Sequence, residues 1–339
     1  MKFLLFLLSL LMFGACTIDS ESSKNNEPEE KMEWAIAIHG GSGVMKRSNM
    51  TEDRIEAYSQ SLDRALTIGE EMLSNGDKAV DVVEAVIVEM ENDSLFNAGK
   101  GAVLTAEGHA ELDASIMDGR TKNCGAVTGI QNIKNPIKAA RTVMDSSSHV
   151  FFSSEGASMF ALEKGLEWVD STYFETKRRR EQFNRRIEKL TAANREEAVW
   201  KFGTVGCVVL DKSGNLAGGT STGGMSMKRH GRIGDSPMIG AGTYADNSTC
   251  AVSCTGWGEY FIRAAVAHDV HARMAYGNAS ISEATEAVIQ ETIPQLGGQG
   301  GLIAVDRNGN ISLEFNTSGM LRGSSNSEGE RLVTIFREE

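Results

Sequence analysis

Four short blocks in the second half of the chain combine hydroxyls, charge and glycine. They are Gly203-Thr204-Val205-Gly206, Thr220-Ser221-Thr222-Gly223-Gly224, Gly231-Arg232-Ile233-Gly234-Asp235 and Cys254-Thr255-Gly256-Trp257-Gly258-Glu259. A threonine hydroxyl is a poor nucleophile until a base adjoins it. A guanidinium fork fits a carboxylate bidentately. Glycine lets backbone come close to another group. Each block alone has a plainer explanation, since threonine favours strands and Arg/Asp in a loop is ordinarily a surface pair. Four of them in one half of the chain point to a polar site. Competing chemistries lack their residues: there is no Walker loop, H-E-x-x-H or spaced Cys/His metal cluster. The glycine runs at 39–43 and 297–301 make weak phosphate sites, because the first lacks the Lys and Ser/Thr of a phosphate loop and the second precedes a strand. His268 and His271 lie three apart on one expected helix without a third ligand, so they read as packing or surface residues.

The elements that hold these blocks are legible in the apolar spacing. Trp34 to Ile38 reads as a buried strand ending in a Gly-rich loop, His39-Gly40-Gly41-Ser42-Gly43. Helices are expected over 51–74, between a Thr51 cap and an Asn75-Gly76 stop, and from Asp77 to about Met90. Short strands are expected at 102–104, 111–116 and 125–130, and a short helix from Asn135-Pro136 to about Met144. Hairpins at 205–220 and 302–315, a strand at 249–254, and helices at 258–275 and 282–292 complete the pattern. Strands in two groups with helices between them imply sheets covered by helices in layers. Segment 176–201, with its Lys177-Arg178-Arg179-Arg180 run, reads as a solvated linker or exposed helix. The chain has 34 basic against 46 acidic residues and a formal charge of −12, which excludes a broad nucleic-acid footprint. Cys124, Cys207, Cys250 and Cys254 sit among small or apolar neighbours without a C-x-x-C pair, so buried free thiols are expected rather than a disulfide framework.

Taken in order, the segments WAIAIHGGSG (34–43), LFNAGKGAV (95–103), ELDASIMDG (111–119), GTVG (203–206), TSTGGM (220–225), GRIGDSP (231–237), GAGTYADN (240–247) and CTGWGE (254–259) form a specific set. It resembles the plant-type, or type 2, L-asparaginase / isoaspartyl peptidase family of N-terminal nucleophile hydrolases. The resemblance covers residues 34–339 as a single domain. It implies an α+β fold, a four-layer αββα sandwich, made as an inactive precursor that cleaves itself before a threonine.

Carried over residue by residue, the resemblance implies a cut between Gly203 and Thr204, giving an α-subunit 16–203 and a β-subunit 204–339. Thr204 then serves as nucleophile, with its own freed α-amino group, ordinarily of pKa about 7.7–8.0, as the base. Thr222 lies where a hydroxyl adjoins the nucleophile, and Asn97 where an amide holds its amine. Thr255 and Gly256 resemble the oxyanion hole. Arg232 resembles the anchor of the substrate's α-carboxylate, Asp235 the partner of its α-ammonium, and Gly256 and Gly258 line the substrate pocket. The implied reaction hydrolyses the side-chain amide of L-asparagine and β-aspartyl dipeptides, releasing L-aspartate. The alternative is an N4-(β-N-acetylglucosaminyl)-L-asparaginase, with the same anchors and a sugar-bearing leaving group. No catalytic cofactor is implied. A structural Na⁺ is implied on backbone carbonyls of Met90, Glu91, Asp93, Phe96, Ala98 and Lys100. Gly40 is expected to assist self-cleavage, Trp257 to narrow the leaving-group side, and the αβ units to pair as homodimers.

The chain opens with Lys2, an apolar stretch from Phe3 to Met12, and Phe13-Gly14-Ala15-Cys16. Residues 1–15 resemble a bacterial lipoprotein signal with Cys16 as the acylated residue, and 16–33 read as a flexible tether. The expectation is an exported lipoprotein, periplasmic or anchored to the outer membrane, meeting the membrane only through its lipid.

Overall fold

The computed structural model describes residues 31–192 and 203–337. The leader 1–15, Cys16, most of the tether and the end of the charged segment lie outside the described residues. Among those described, an eight-stranded sheet runs β12 (Arg331–Phe336), β11 (Gly319–Asn326), β1 (Ala35–Gly43), β5 (Val205–Leu210), β6 (Leu216–Thr222), β2 (Leu112–Asp118), β3 (Cys124–Ile130), β4 (Phe151–Ser153). A four-stranded sheet runs β10 (Ile311–Phe315), β9 (Gly300–Asp306), β8 (Cys250–Gly256), β7 (Thr243–Ala245). Neighbours are antiparallel except β3 and β4. The helices are α1 (Glu52–Asn75), α2 (Ala79–Asn92), α3 (Pro136–Ser146), α4 (Ser154–Glu163), α5 (Lys177–Ala192), α6 (Gly258–Ala264), α7 (Val266–Gly277), α8 (Ile281–Glu286) and α9 (Ile293–Gln295).

Strand alternation builds the layers. Ile36 and Ile38 of β1, with Val205, Cys207 and Val209 of β5, face Leu62, Leu66, Val83 and Ile87 of α1 and α2. Ala35, Ala37, Val208 and Leu210 point the other way and meet Ala251, Ile303 and Val305 of the second sheet. Cys250, Val252, Cys254, Leu302 and Ala304 then face α7 and α8. Each strand residue therefore chooses its core by its parity. The result is helix, sheet, sheet, helix: the four-layer α+β sandwich expected from the resemblance. All four expected thiols are free, and Cys207, Cys250 and Cys254 are buried, but Cys124 at the start of β3 is only half-buried.

Local signals set most boundaries. Thr51 caps α1 by accepting from Arg54 N–H, and Gly76 closes it at φ 85°. Pro136 opens α3 where its missing N–H costs nothing. The expected Gly-rich loop at 39–43 is instead continued strand, with β1 paired to β11 through Gly43. The expected strand at 102–104 is instead a loop with one bridge, Leu104 to Ala110. The expected helix 258–275 is broken at Ala265, whose φ of 49° re-aims the chain into α7. Five elements escaped the periodicity: β4, α4, β7, β11 and β12. They are short or polar and owe their form to a neighbour, as β11 does to β1.

The basic run in α5 is not a solvated face. Arg179 is 8% exposed, and its guanidinium donates to Phe96 O at 3.0 Å and to Gly101 O. Arg178 donates to Leu95 O at 3.2 Å and Arg180 to Gly108 O at 3.1 Å. Burial, followed by repulsion from Arg178, lowers the Arg179 pKa to about 9. The loop after α2 forms no ladder, so its carbonyls need donors, and this run supplies them.

Candidate active site

The hydroxyl-bearing blocks meet at one edge of the two sheets. Val205 opposes Ser221 in the β5–β6 ladder, so Thr204 and Thr222 stand side by side at the strand ends. Thr204 Oγ1 lies 3.3 Å from Thr222 Oγ1. Thr222 Oγ1 in turn donates to the Gly203 carbonyl at 3.0 Å, and Asn97 Nδ2 donates to the same carbonyl at 2.7 Å. Asn97 is itself held by Val103 N–H on its Oδ1 at 2.8 Å, and donates a second time to Gly224 O at 2.8 Å. The peptide carbonyl before Thr204 thus carries two donors, beside a buried threonine hydroxyl. Gly41 packs on this junction: a Cβ there would sit 2.8 Å from Gly203 Cα, and its φ is +112°. Gly40, the residue expected to help, faces the Phe96 ring instead. The β1 bulge between His39 and Gly41 re-aims the backbone and makes this exchange.

His39 anchors Thr204 from below. It is fully buried between the sheets, with Nδ1 2.9 Å from Thr204 O and Nε2 3.0 Å from Ser253 Oγ. A carbonyl only accepts, so Nδ1 carries the hydrogen and Ser253 donates to Nε2. Burial lowers the His39 pKa to about 3, against the opposing pull of the Thr204 carbonyl, so the ring is neutral. Thr220 Oγ1, 2.7 Å from Ser253 Oγ, continues the hydroxyl chain. Ser42, next to Gly41, clamps the second sheet: its N–H donates to Thr255 Oγ1 at 3.2 Å and its hydroxyl to Thr255 O at 2.9 Å. Thr255 Oγ1 accepts there and keeps its own hydrogen to donate.

The charged pair adjoins the hydroxyls. Asp113 is the cross-strand partner of Thr222, and its charge and that of Arg232 both act on Asp235. Asp235 is buried, its Oδ2 has no hydrogen-bond partner among the described residues, and burial raises its pKa to about 7. Gly258 lies against it, so close that a Cβ would meet Asp235 Oδ1 at 2.8 Å. Arg232 is not empty-handed: Glu259 takes its Nε at 2.9 Å and Nη2 at 2.8 Å. Burial lowers the Arg232 pKa, but the Glu259 pair outweighs it and the net shift is upward. Beside Arg232 opens a cavity of about 620 Å³, walled by Asp113, Lys228, Trp168 and Ile233 among others. Lys228 is buried, 3.5 Å from Glu111 and 3.8 Å from Asp113.

Of the residues singled out in the sequence, Thr204, Gly203, Thr222 and Asn97 form one hydrogen-bonded group. Thr255 is bonded to Ser42, the chain neighbour of Gly41, while Asp235 and Arg232 form a charged pair with Gly258 packed on Asp235. Gly256 ends β8 next to Thr255. Trp257 stacks edge-to-face on Tyr260 at 5.4 Å. In the loop after α2, the Glu91 and Phe96 carbonyls come against Gly99 and Gly101, and Phe96 O and Ala98 O accept from Arg179 and Gly101 N–H. His268 and His271 pack on Tyr244, as expected of packing residues. Sequence reasoning missed His39, Gly41, Asp113 and Glu259. His39 shares the parity of Ala35 and Ala37, which was the available signal for its place between the sheets.

The chain matches the family described as Asparaginase over residues 32–335. It is 47% identical over 316 residues to the isoaspartyl peptidase of Escherichia coli strain K12, covering 90% of this chain and 96% of that protein. It is 44% identical to a probable isoaspartyl peptidase/L-asparaginase 2 of Arabidopsis thaliana, covering 89% of this chain and 99% of the relative. It is 38% identical to the human isoaspartyl peptidase/L-asparaginase, covering 84% and 91%. The expected localisation is corrected by these matches. The relatives carry the names of isoaspartyl peptidases and none that of a lipoprotein or periplasmic protein, so the exported, lipid-anchored reading of the leader does not stand. Joined to the four-layer fold and the Gly203–Thr204 junction, the match along nearly the whole described chain leaves one assignment: the protein belongs to the asparaginase family.

Proposed function

We propose that the chain is an autoprocessing threonine hydrolase that opens the side-chain amide of L-asparagine and of β-aspartyl peptides, releasing L-aspartate. One observation carries the reading: Thr204 Oγ1 adjoins Thr222 Oγ1 at 3.3 Å, and the Gly203 carbonyl beside it holds two donors, at 2.7 and 3.0 Å. Such donors stabilise the charge that develops when a hydroxyl adds to that carbonyl. In processing, Thr204 Oγ1 bonds to the Gly203 carbon, the C–N bond breaks, and the Thr204 nitrogen takes the hydroxyl proton. Water then hydrolyses the ester, leaving a Gly203 carboxylate and a free Thr204 amine. That amine is the base the precursor lacks. In turnover it takes the Oγ1 proton as oxygen attacks the substrate's β-carbonyl, and returns it to the departing ammonia or amine. Water releases aspartate from the acyl-enzyme. Thr255 and Gly256 are the oxyanion donors of this reading.

Arg232 and Asp235 hold the substrate's α-carboxylate and α-ammonium. An ordinary α-peptide bond consumes one of those charges, so only the side-chain amide is presented. The relatives' names support this over the glycosyl-asparagine alternative, since they speak of isoaspartyl peptides and L-asparagine. We also propose a structural Na⁺ at the loop after α2, held by backbone oxygens from Met90, Glu91, Asp93, Phe96, Ala98 and Lys100 and supplying rigidity rather than chemistry; the close packing of Glu91 O on Gly99 and of Phe96 O on Gly101 is what supports it. Replacing Na⁺ by choline should then lower the melting temperature, and equal melting curves would remove the ion from the proposal. A homodimer of two-piece units belongs to the same reading. The central test is Thr204→Ala. It should stay one chain on a denaturing gel and lose at least about 10⁴-fold activity on L-asparagine and β-aspartyl-leucine. A cleaved, active variant would refute the assignment.

A further inference from the structure

We propose that Glu259 is a positioning residue for Arg232: it occupies one edge of the guanidinium so that the other edge is presented to the substrate's carboxylate. The inference rests on the reading of Arg232 as the carboxylate anchor. A guanidinium carries five N–H groups in one plane. Glu259 accepts from Nε at 2.9 Å through Oε1 and from Nη2 at 2.8 Å through Oε2. Both Nη1 hydrogens and one Nη2 hydrogen lie outside that pair. One from each terminal nitrogen forms a second parallel fork, of the spacing a carboxylate accepts.

Two further observations mark that second edge as the working one. Arg232 contributes to the wall of the cavity of about 620 Å³ with Asp113, Lys228 and Ile233, whereas Glu259 is not among the residues that line it. Gly234 lies against the same edge: a Cβ there would come within 2.9 Å of Nη1 and 3.4 Å of Nη2. Any side chain at 234 would cover the fork that glycine leaves open. Glu259 is 45% exposed and Arg232 18%, so the pair contributes little to stability as an ion pair. Its consequence is geometric. A long side chain with several free torsions is held in one orientation before the substrate arrives, and ordering it is no longer part of binding.

A competing use of the same contact has the opposite sign. If Glu259 stood in for the substrate's carboxylate and had to leave, removing it would tighten binding. The experiment uses the processed enzyme with L-asparagine as substrate and two inhibitors: L-aspartate, which carries the α-carboxylate, and 3-aminopropanamide, which lacks it. Glu259→Gln keeps an acceptor for one N–H, and Glu259→Ala keeps none. We expect KM and the L-aspartate inhibition constant to rise about threefold in the glutamine variant and about tenfold in the alanine variant, with a much smaller fall in kcat. The inhibition constant of 3-aminopropanamide should not follow them. A KM that falls or holds in Glu259→Ala overturns the proposal, and so does a parallel loss for both inhibitors, which would mean that the pocket has collapsed. Arg232→Ala, run alongside, separates the two levels. If it leaves KM intact, the anchor reading fails. If it raises KM while Glu259→Ala does not, only the positioning role fails.

Discussion

Asp235 is a buried carboxylate that feels the Arg232 charge, and among the described residues its Oδ2 has no hydrogen-bond partner. Burial raises its pKa to about 7. In the free enzyme it is therefore neutral below about pH 7 and cannot pair an ammonium there. The Thr204 amine, of ordinary pKa about 7.7–8.0, must also be deprotonated to act as base. Two protonations thus lower kcat/KM on the acid side. Its logarithm should fall with a slope approaching two below pH 7, and with a slope of one in the much weaker Asp235→Asn variant. A wild-type slope of one would show that Asp235 ionises in its usual range. His39 is shifted the opposite way, to about 3, and stays neutral throughout. Because its folded pKa lies below the ordinary 6.5, its contribution to stability is complete above pH 6.5 and is lost as pH falls toward about 3.

At the scale of elements, the end of β1 does more than contribute a strand. Its bulge turns Gly41 onto the Gly203–Thr204 peptide and sends Ser42 across to Thr255. The bulged end of β1 thereby packs against the Gly203–Thr204 peptide and reaches the second sheet. Gly41→Ala tests this. Its φ of +112° is closed to alanine, and the added Cβ would press on Gly203 Cα at 2.8 Å. Processing should slow by at least about tenfold, read as precursor persisting on a denaturing gel, while the chain still melts cooperatively. Cleavage at the normal rate would remove Gly41 from the processing geometry. The basic run of α5 carries a related lesson. Its charge pattern suggested a solvated face, yet Arg179 is buried because three-dimensional packing brings it to carbonyls in a loop before β2.

Over the whole molecule, the large sheet interleaves the two pieces that a cut at Gly203–Thr204 would create. Between β11 and β5, both after the cut, lies β1, which precedes it; beyond β6 come β2, β3 and β4, again from the first piece. The β1–β11, β1–β5 and β2–β6 ladders all cross between pieces. Cleavage opens a loop and breaks no ladder. The two pieces should therefore co-elute in native size-exclusion chromatography and separate only in denaturant. Dissociation under native conditions would contradict the strand order.

The residues alone pointed to a polar, hydroxyl-bearing site and to strands and helices in layers; the reaction came from the resemblance. Thr204, Arg232 and Asp235 were singled out by the resemblance of eight ordered segments to one family, since each block alone also suits a strand or a surface pair. Local parity and helical spacing indicated strands covered by helices in layers, and the resemblance added the four-layer sandwich. Which groups share an edge was set by long-range packing. His39 beneath Thr204, Gly41 rather than Gly40 at the cut, Asp113 beside Thr222 and Glu259 on Arg232 are all contacts between segments far apart in the chain. Strand register, one bulge and sheet stacking set them, and none of these is written in the spacing of neighbouring residues.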